Sequence, residues 1–293
     1  MNRKLKTVLC AALVLLLMFS CCCVSFADEP MPVTVKAKAA VLMDVDSGKV
    51  LMSMNADEKL YPASVTKIMT LLLVTEALDS GKISLSDTVT ASASAASKGG
   101  SQIWLKEGEQ MRVEDLIKAV CVVSGNDAAV ALGEHLAGSE EAFVARMNER
   151  AAELGCEHTH FANATGLHNS QHYTTAWDLY LITREALKHD KFMEICNSKS
   201  YTVPATNMTD KPRELHSTNF LISNWRARGY VYRDAQGIKT GSTPEAGYCL
   251  ISSALRGSRH MISVVLGAER VTLEDGVTIQ TRSFSCLLYT SPS

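Results

Sequence analysis

The segment Ser64–Leu78 constrains the fold more than any other part of this chain. It has the length of a helix and ends shortly before Gly81, and its apolar residues surround almost the whole helical circumference. A helix without a polar face has to be enclosed on every side by other parts of the protein. We therefore expect a central buried helix and a fold large enough to surround it.

Strand patterns lie at both ends of the chain, with helical patterns between them. Near the N-terminus, the turn signal Asp46-Ser47-Gly48 separates two short strand patterns and predicts a hairpin. This arrangement predicts an α/β (α+β) sandwich, in which an antiparallel sheet pairs the hairpin with the C-terminal strands and is flanked by helices. The predicted strands are Ala40–Asp44, Lys49–Ser53, Gly237–Thr240, Gly247–Leu255 and His260–Gly267, and the further predicted helices are Val113–Val123, Asp127–Leu136, Glu140–Leu154 and Thr175–Lys188.

Composition and charge exclude several classes of protein. Of the 293 residues, 46% are hydrophobic and 20% are charged, which is typical of a folded chain and not of a disordered or collagen-like one. The 29 Lys and Arg residues do not exceed the 31 Asp and Glu residues, so the formal net charge is −2. Because nucleic-acid binding needs a basic surface, we predict no nucleic-acid partner.

The first residues have the layout of a secretory signal peptide. Basic residues in the first six positions precede an uncharged stretch rich in Leu and Val, which ends in small residues. We predict cleavage after Ala27, export to the cell-wall side of the membrane, a linker over 28–38 and one domain over 39–284. Two alternatives stay open: the apolar stretch is long enough to remain as a membrane anchor, and Cys21 is a lipidation candidate, although the residues before it fit a lipoprotein cleavage site poorly.

Cysteine and histidine patterns predict neither a disulfide framework nor a metal site. Five cysteines follow the predicted signal peptide, an odd and widely spaced set, and we expect most of them to be buried small hydrophobic residues. A group of histidines beside the second of these cysteines lacks the helical spacing with an acidic residue that zinc sites use, so we predict no metal and no cofactor. These residues are Cys121, Cys156, Cys196, Cys249 and Cys286, and His158, His160, His168 and His172.

The sequence Ser64-Val65-Thr66-Lys67 places a serine and a lysine on one face of the predicted helix. A serine hydroxyl is a weak nucleophile unless a base lies within hydrogen-bonding distance. Burial in this apolar helix disfavours the charged form of Lys67, which makes its neutral amine available as that base. The helix N-terminus also directs backbone N–H groups toward a developing oxyanion. Taken alone, the pair is more commonly an N-cap serine with a surface lysine.

Two further motifs follow along the chain. Ser124-Gly125-Asn126 interrupts two apolar helices, and a polar break between buried helices needs partners or lies at a cleft. Lys239-Thr240-Gly241, followed by Ser242, places a cation and a hydroxyl at a strand edge, where they suit a carboxylate, and its glycine lets a ligand backbone approach closely. Taken alone, the first is also typical of a helix-capping turn and the second of a solvated strand end.

The three motifs in this order are the signature of penicillin-binding proteins and class A β-lactamases. Over roughly residues 33–268, the sequence resembles the D-alanyl-D-alanine carboxypeptidases, the low-molecular-mass penicillin-binding serine peptidases. The resemblance implies a three-layer sandwich with a helical subdomain, as in β-lactamases and transpeptidases. The segments that carry it are Ala39–Lys49 (AAVLMDVDSGK), Pro62–Thr70 (PASVTKIMT), Val123–Leu132 (VSGNDAAVAL), Tyr173–Asp178 (YTTAWD) and Gly237–Tyr248 (GIKTGSTPEAGY).

The resemblance implies a reaction and the residues that perform it. Ser64 is then the acylated nucleophile and Lys67 its general base, while Ser124 passes the proton to the leaving D-alanine. The backbone N–H groups of Ser64 and Ser242 form the oxyanion hole. The implied reaction removes the terminal D-alanine from peptidoglycan stem peptides that end in D-Ala-D-Ala, and β-lactams, which mimic that dipeptide, trap Ser64.

The resemblance also implies how substrate is bound. Asn126 holds the substrate amide, and Lys239 and Thr240, on the strand that contains Gly241, bind the terminal carboxylate. Some members of the family carry an arginine upstream that helps to bind this carboxylate. The corresponding stretch here, Ser217–Leu221, contains no arginine.

Two other functions stay open. A serine β-lactamase shares the fold and the motifs, but class A enzymes carry a Glu-x-x-Leu-Asn sequence that this chain lacks. An inactive protein that binds the cell wall or penicillin is disfavoured by the intact Ser64/Lys67 pair. Members of the family usually continue into a β-rich domain and an amphipathic anchor, whereas Ser285–Ser293 resembles neither. We expect a truncated or foreign end there, and the mode of membrane attachment stays open.

Overall fold

The computed structural model describes residues 35–225, 229–272 and 278–280. The predicted signal peptide over 1–27, most of the predicted linker, and the predicted tail at Ser285–Ser293 lie outside the described residues. Within the described part, none of the helices combines the length and the apolar character that crossing a membrane requires.

The regular secondary structure of the described chain consists of strands, helices and one 3-10 turn at Ala63–Thr66. In chain order the strands are β1 (Ala39–Asp44), β2 (Val50–Met54), β3 (Thr88–Thr90), β4 (Gln110–Arg112), β5 (Ser200–Val203), β6 (Arg213–His216), β7 (Lys239–Thr243), β8 (Gly247–Arg256), β9 (Arg259–Ala268), β10 (Arg270–Thr272) and β11 (Thr278–Gln280), and the helices are α1 (Lys67–Asp79), α2 (Ala93–Ala96), α3 (Val113–Val122), α4 (Asn126–Ala137), α5 (Glu140–Glu153), α6 (Ala176–Ala186) and α7 (Asp190–Cys196).

A five-stranded antiparallel sheet joins the two ends of the described chain in the order β2-β1-β9-β8-β7. Strand β1 pairs with β9 from Ala39 opposite Leu266 to Asp44 opposite Met261. The turn between β1 and β2 is closed by the Asp44 carboxylate, which accepts a hydrogen bond from the backbone N–H of Ser47. The predicted pairing of an N-terminal hairpin with C-terminal strands is therefore confirmed. In this strand order, β7 lies at one edge of the sheet.

The predicted central helix is confirmed, although it begins differently. Residues 63–66 form a 3-10 turn, and the α-helix starts only at Lys67. Every residue from Lys67 to Leu72 is buried, and α1 packs against both α4 and α6. Strand β7 packs against the preceding 3-10 turn. The sheet edge and the start of the central helix therefore meet, and this contact positions the site described below.

The four predicted helices that follow the central one agree with the structure to within two residues at each end. Polar side chains cap two of them: Ser139 accepts a hydrogen bond from the Ala142 N–H at the start of α5, and Thr175 accepts one from the Asp178 N–H at the start of α6. The sequence did not predict the short elements β3 to β6, α2 and α7. The cysteines at positions 121, 156, 196 and 249 are free and buried, as predicted, and Cys286 lies outside the described residues.

Candidate active site

Ser64 lies in the 3-10 turn before α1 and is half-buried. The preceding residue, Ala63, is buried and has a φ of +49°. A residue other than glycine costs about 1–3 kcal/mol in this conformation and keeps it only where the surroundings hold it, as happens at functional sites. Gly166 lies against this turn, because a Cβ there would be 1.8 Å from the Ala63 carbonyl oxygen. The turn that carries Ser64 is therefore held by a segment distant in sequence.

Lys67 is completely buried and has three polar neighbours. Its Nζ lies 2.9 Å from Ser64 Oγ. It donates to Asn126 Oδ1 at 2.6 Å and to the Thr165 carbonyl oxygen at 2.7 Å. The orientation of the Asn126 amide is fixed by its Nδ2, which donates to the Gly99 carbonyl oxygen at 2.6 Å.

These contacts determine where the lone pair of a neutral Lys67 points. A neutral amine has two N–H donors and one lone pair, and both carbonyl-type oxygens at Asn126 and Thr165 can only accept. When they take the two donors, the lone pair faces Ser64 Oγ, whose hydroxyl can donate to it. The geometry is thus that of a base in contact with a nucleophile.

The environment of Lys67 favours its neutral form. Burial lowers the pKa of Lys67 well below the ordinary lysine value, and the positive charge of Lys239 lowers this pKa further. The carboxylate of Asp127 acts in the opposite direction and is the weakest of the three causes. The predicted burial of Lys67 is confirmed, and the alternative of a surface lysine is wrong.

The second motif lies in the break between α3 and α4. Ser124 is buried and has a φ of +65°. Its Oγ accepts a hydrogen bond from Lys239 Nζ at 2.9 Å. Two residues on, the backbone N–H of Asn126 donates to the Ser101 carbonyl oxygen at 2.7 Å. The motif therefore connects Lys67, through the Asn126 side chain, with Lys239, through Ser124.

The third motif forms the start of β7. Lys239 is only 1% exposed, so the alternative of a solvated strand end is wrong. Its Nζ donates to the Thr240 carbonyl oxygen at 2.9 Å as well as to Ser124. Thr240 Oγ1 lies 2.6 Å from Thr218 Oγ1, so two hydroxyls stand side by side near this cation. Thr218 belongs to the stretch Ser217–Leu221, which contains no arginine.

Gly241 has a role inside the protein that the sequence did not predict. A Cβ at this position would lie 2.9 Å from the backbone nitrogens of Ser64 and Val65 and 3.1 Å from the Pro62 carbonyl oxygen. The glycine therefore allows β7 to lie against the 3-10 turn. This contact inside the protein explains the need for a glycine here more directly than the approach of a ligand does. Ser242 follows directly and is exposed.

The eight predicted site residues thus come together where β7, the 3-10 turn and the α3–α4 break meet. Sequence reasoning missed Thr165, Gly166 and Thr218, which contact this group from distant segments. Their local sequence contains no signal of this, because Thr165 contributes a backbone carbonyl, Gly166 the absence of a side chain and Thr218 a hydroxyl. Only the folded chain shows what those groups face.

The described residues contain one group of His, Cys or acidic side chains close enough to hold a metal ion, namely Glu76, Glu185 and His189. Arg150 already forms ion pairs with both glutamates, at 2.8 and 3.1 Å. This group shares no residue with the site around Ser64. Among the described residues, the histidines between positions 156 and 172 form no such group.

Comparison with known proteins gives the family of this chain. The sequence model of the family described as D-alanyl-D-alanine carboxypeptidase matches residues 25–270. The chain belongs to this family. DacF of Bacillus subtilis (strain 168), a D-alanyl-D-alanine carboxypeptidase, is 43% identical over 268 residues, which cover 92% of this chain and 67% of DacF. DacC of Escherichia coli (strain K12), which has the same description, is 41% identical over 261 residues, covering 86% of this chain and 62% of DacC.

Solved structures of this family have the same fold. Penicillin binding protein 5 from Haemophilus influenzae has a TM-score of 0.75 and 34% identity, covering 89% of this chain and 72% of that protein. The carboxypeptidase DacD from Francisella tularensis has a TM-score of 0.70 and 30% identity, covering 82% of this chain and 67% of DacD. The predicted fold class is therefore confirmed. The chain spans about two thirds of the length of these relatives, 67% of DacF and 62% of DacC.

Proposed function

We propose that this chain is a serine-type D-Ala-D-Ala carboxypeptidase that removes the terminal D-alanine from peptidoglycan stem peptides. The observation that carries the proposal is the buried Lys67 amine, whose lone pair is directed at Ser64 Oγ, while the buried cation Lys239 is near enough to lower the pKa of Lys67. Membership of the D-alanyl-D-alanine carboxypeptidase family supports the same activity. Peptidoglycan as substrate implies that the enzyme acts outside the cytoplasm.

Acylation follows from the roles of these residues. Ser64 Oγ attacks the carbonyl carbon of the penultimate D-alanine, and its proton passes to Lys67 Nζ. The negative charge that develops on the carbonyl oxygen is stabilised by the backbone N–H groups of Ser64 and Ser242, which β7 and the 3-10 turn hold close together. When the peptide bond breaks, Ser124 transfers its hydroxyl proton to the nitrogen of the leaving D-alanine and takes up the proton that Lys67 accepted, so that Ser124 is again a hydroxyl and Lys67 again a neutral amine.

Binding and release involve the remaining residues. Lys239 and Thr240, with the Thr218 hydroxyl beside them, bind the carboxylate of the terminal D-alanine. Asn126 positions Lys67 and binds the amide of the substrate. A water molecule then attacks the ester carbonyl, which frees Ser64 and the shortened peptide. β-Lactams follow the same first step and remain on Ser64 as an acyl-enzyme. Attachment of the chain to the membrane is compatible with a substrate in the cell wall.

The test supplies two substrates to the same protein. The chain is incubated with a diacyl-L-Lys-D-Ala-D-Ala peptide and, separately, with a fluorescent penicillin. We expect release of D-alanine and a long-lived label, both abolished by Ser64→Ala. Rapid turnover of penicillin without release of D-alanine would instead identify a serine β-lactamase. The absence of both D-alanine release and a penicillin label would identify an inactive binding protein.

A further inference from the structure

The turn that carries Ser64 is connected to a buried histidine through one hydroxyl group. Thr66 Oγ1 donates to the Ala63 carbonyl oxygen at 2.8 Å and lies 2.8 Å from Nε2 of His172. Thr66 is 0% exposed and His172 is 2% exposed. This chain of contacts therefore runs through the protein interior and ends on the residue directly before Ser64.

The direction of each hydrogen bond in this chain follows from its two ends. The backbone N–H of Ala162 donates to Nδ1 of His172 at 3.1 Å, so Nδ1 holds a lone pair. The ring proton of a neutral His172 is then on Nε2 and is donated to Thr66 Oγ1. The hydroxyl proton of Thr66 is donated to the Ala63 carbonyl oxygen, which only accepts. One arrangement of protons therefore satisfies every polar atom along the chain.

The surroundings of His172 maintain this arrangement. Its ring packs edge-on against Phe161, with the ring centroids 5.6 Å apart. Burial, together with the positive charges that His160 and Lys67 can carry, lowers the pKa of His172 to about 4. A second ring proton would also remove the acceptor that the Ala162 N–H uses. His172 is therefore neutral near pH 7.

We propose that His172 is a positioning residue for acylation, which acts through Thr66 and the Ala63 carbonyl to keep the Ser64 hydroxyl against Lys67. Ala63 has a positive φ, so this turn needs an external hold, and its carbonyl is the atom that the chain of hydrogen bonds reaches. Small displacements of a nucleophile slow its reaction strongly. The inference rests on the proposed function and adds a residue that does not contact the reacting atoms.

The test measures the acylation of Ser64 by a fluorescent penicillin, with the acylation rate constant separated from the noncovalent dissociation constant. In His172→Ala, we expect the rate constant to fall by about 10- to 100-fold, since the turn loses its hold, with a smaller change in the dissociation constant. His172→Gln keeps an amide donor directed at Thr66 and is expected to restore most of the rate. The matched control is His160→Ala, which removes an exposed imidazole that hydrogen-bonds to the Gln171 carbonyl oxygen, and we expect its rate to lie within about twofold of wild type.

A second variant tests the same chain without changing the histidine. Thr66→Val retains the shape of the side chain and removes the hydroxyl, so we expect a loss similar to that of His172→Ala. The double variant is expected to be no slower than the slower single variant, because both substitutions break one chain. Rates are expressed per active molecule, and the number of active molecules is titrated with excess penicillin. If His172→Ala does not fold, the rate of Thr66→Val alone tests the proposal.

Three outcomes would overturn the inference. The first is acylation of both single variants within twofold of the wild-type rate. The second is a double variant whose loss equals the product of the two single losses, because the residues would then act independently. The third is a wild-type chain that penicillin does not acylate, which would overturn the proposed function as well and is recognised before any variant is compared.

Discussion

At the scale of single residues, the proposed activity depends on the direction of one lone pair. Lys67 has three polar neighbours, and the two at Asn126 and Thr165 present oxygens that can only accept. The remaining neighbour, Ser64 Oγ, is the only one of the three that can donate a proton. Burial and the charge of Lys239 lower the pKa of Lys67 and so make its lone pair available.

Removing this amine gives the first prediction. In Lys67→Ala, we expect acylation by penicillin to slow by about 10²- to 10⁴-fold, the usual contribution of a positioned base. The fold should persist, because the substitution also removes a buried group whose charged form is disfavoured. Fluorescent labelling measures the rate, and circular dichroism measures the fold. Lys49→Ala, at an exposed lysine in the β1–β2 turn, is the control. Labelling of Lys67→Ala at the native rate would show that another base is at work.

At the scale of elements, the site depends on how closely β7 approaches the 3-10 turn. Gly241→Ala places a Cβ 2.9 Å from the backbone nitrogens of Ser64 and Val65, and backbone atoms cannot move aside as a flexible side chain does. We expect β7 to shift away from the turn and acylation to slow by at least about 100-fold, the effect of losing one oxyanion-hole donor. Stopped-flow labelling measures this rate.

A second glycine provides the control for that prediction. A Cβ at Gly99 meets open space, with no atom within 4 Å, and the carbonyl of Gly99 that orients Asn126 is retained in Gly99→Ala. We expect the control to label within about twofold of wild type. Equal rates for Gly241→Ala and wild type would show that the separation of β7 from the turn does not limit acylation.

The longer elements could be predicted from the sequence because their patterns are local. The apolar circumference of the central helix, the turn at Asp46-Ser47-Gly48 and the strand patterns near the C-terminus each lie within a few consecutive residues. The short ribbons formed by β3 with β4 and by β5 with β6 could not be predicted, because strands of three or four residues are too short to establish a period. The 3-10 start of the central helix packs against β7, a contact between distant segments that no local pattern reveals.

The site was predictable to the extent that its chemistry lies in motifs. Ser64 and Lys67 lie three residues apart, so their contact follows from helical geometry alone. The Thr165 carbonyl reaches Lys67, and the ring of His172 reaches Thr66, from far along the chain, and no spacing connects them to these residues. Which atoms hold a lysine neutral, or fix a turn, depends on tertiary packing that the sequence pattern does not contain.

At the scale of the whole molecule, two buried lysines are brought together from different layers. Lys67 comes from the central helix and Lys239 from the edge of the sheet, and the charge of Lys239 lowers the pKa of Lys67. Below that pKa, Lys67 carries a proton and cannot accept the one from Ser64, so acylation accelerates as the pH rises through it. The packing of sheet on helix therefore sets the pH range of the reaction.

Lys239→Met tests this coupling. The substitution removes one cause that lowers the pKa of Lys67, so we expect the acidic limb of the acylation profile to move to higher pH, whatever happens to its maximum. Lys118→Met is the control, because Lys118 donates to Ser198 Oγ and is not among the groups that shift Lys67. Penicillin labelling measured at a series of pH values gives both profiles. A limb that stays in place, or moves to lower pH, would contradict the coupling.

The state of Lys67 itself is the most direct measurement. The chain is produced with lysine labelled with ¹³C at Cε, the Lys67 resonance is assigned by its absence from Lys67→Ala, and its chemical shift is followed against pH. We expect Lys67 to titrate well below the exposed lysines of the same sample. A resonance that titrates together with those exposed lysines would mean that Ser64 faces an ammonium group, and the proposed mechanism would not hold.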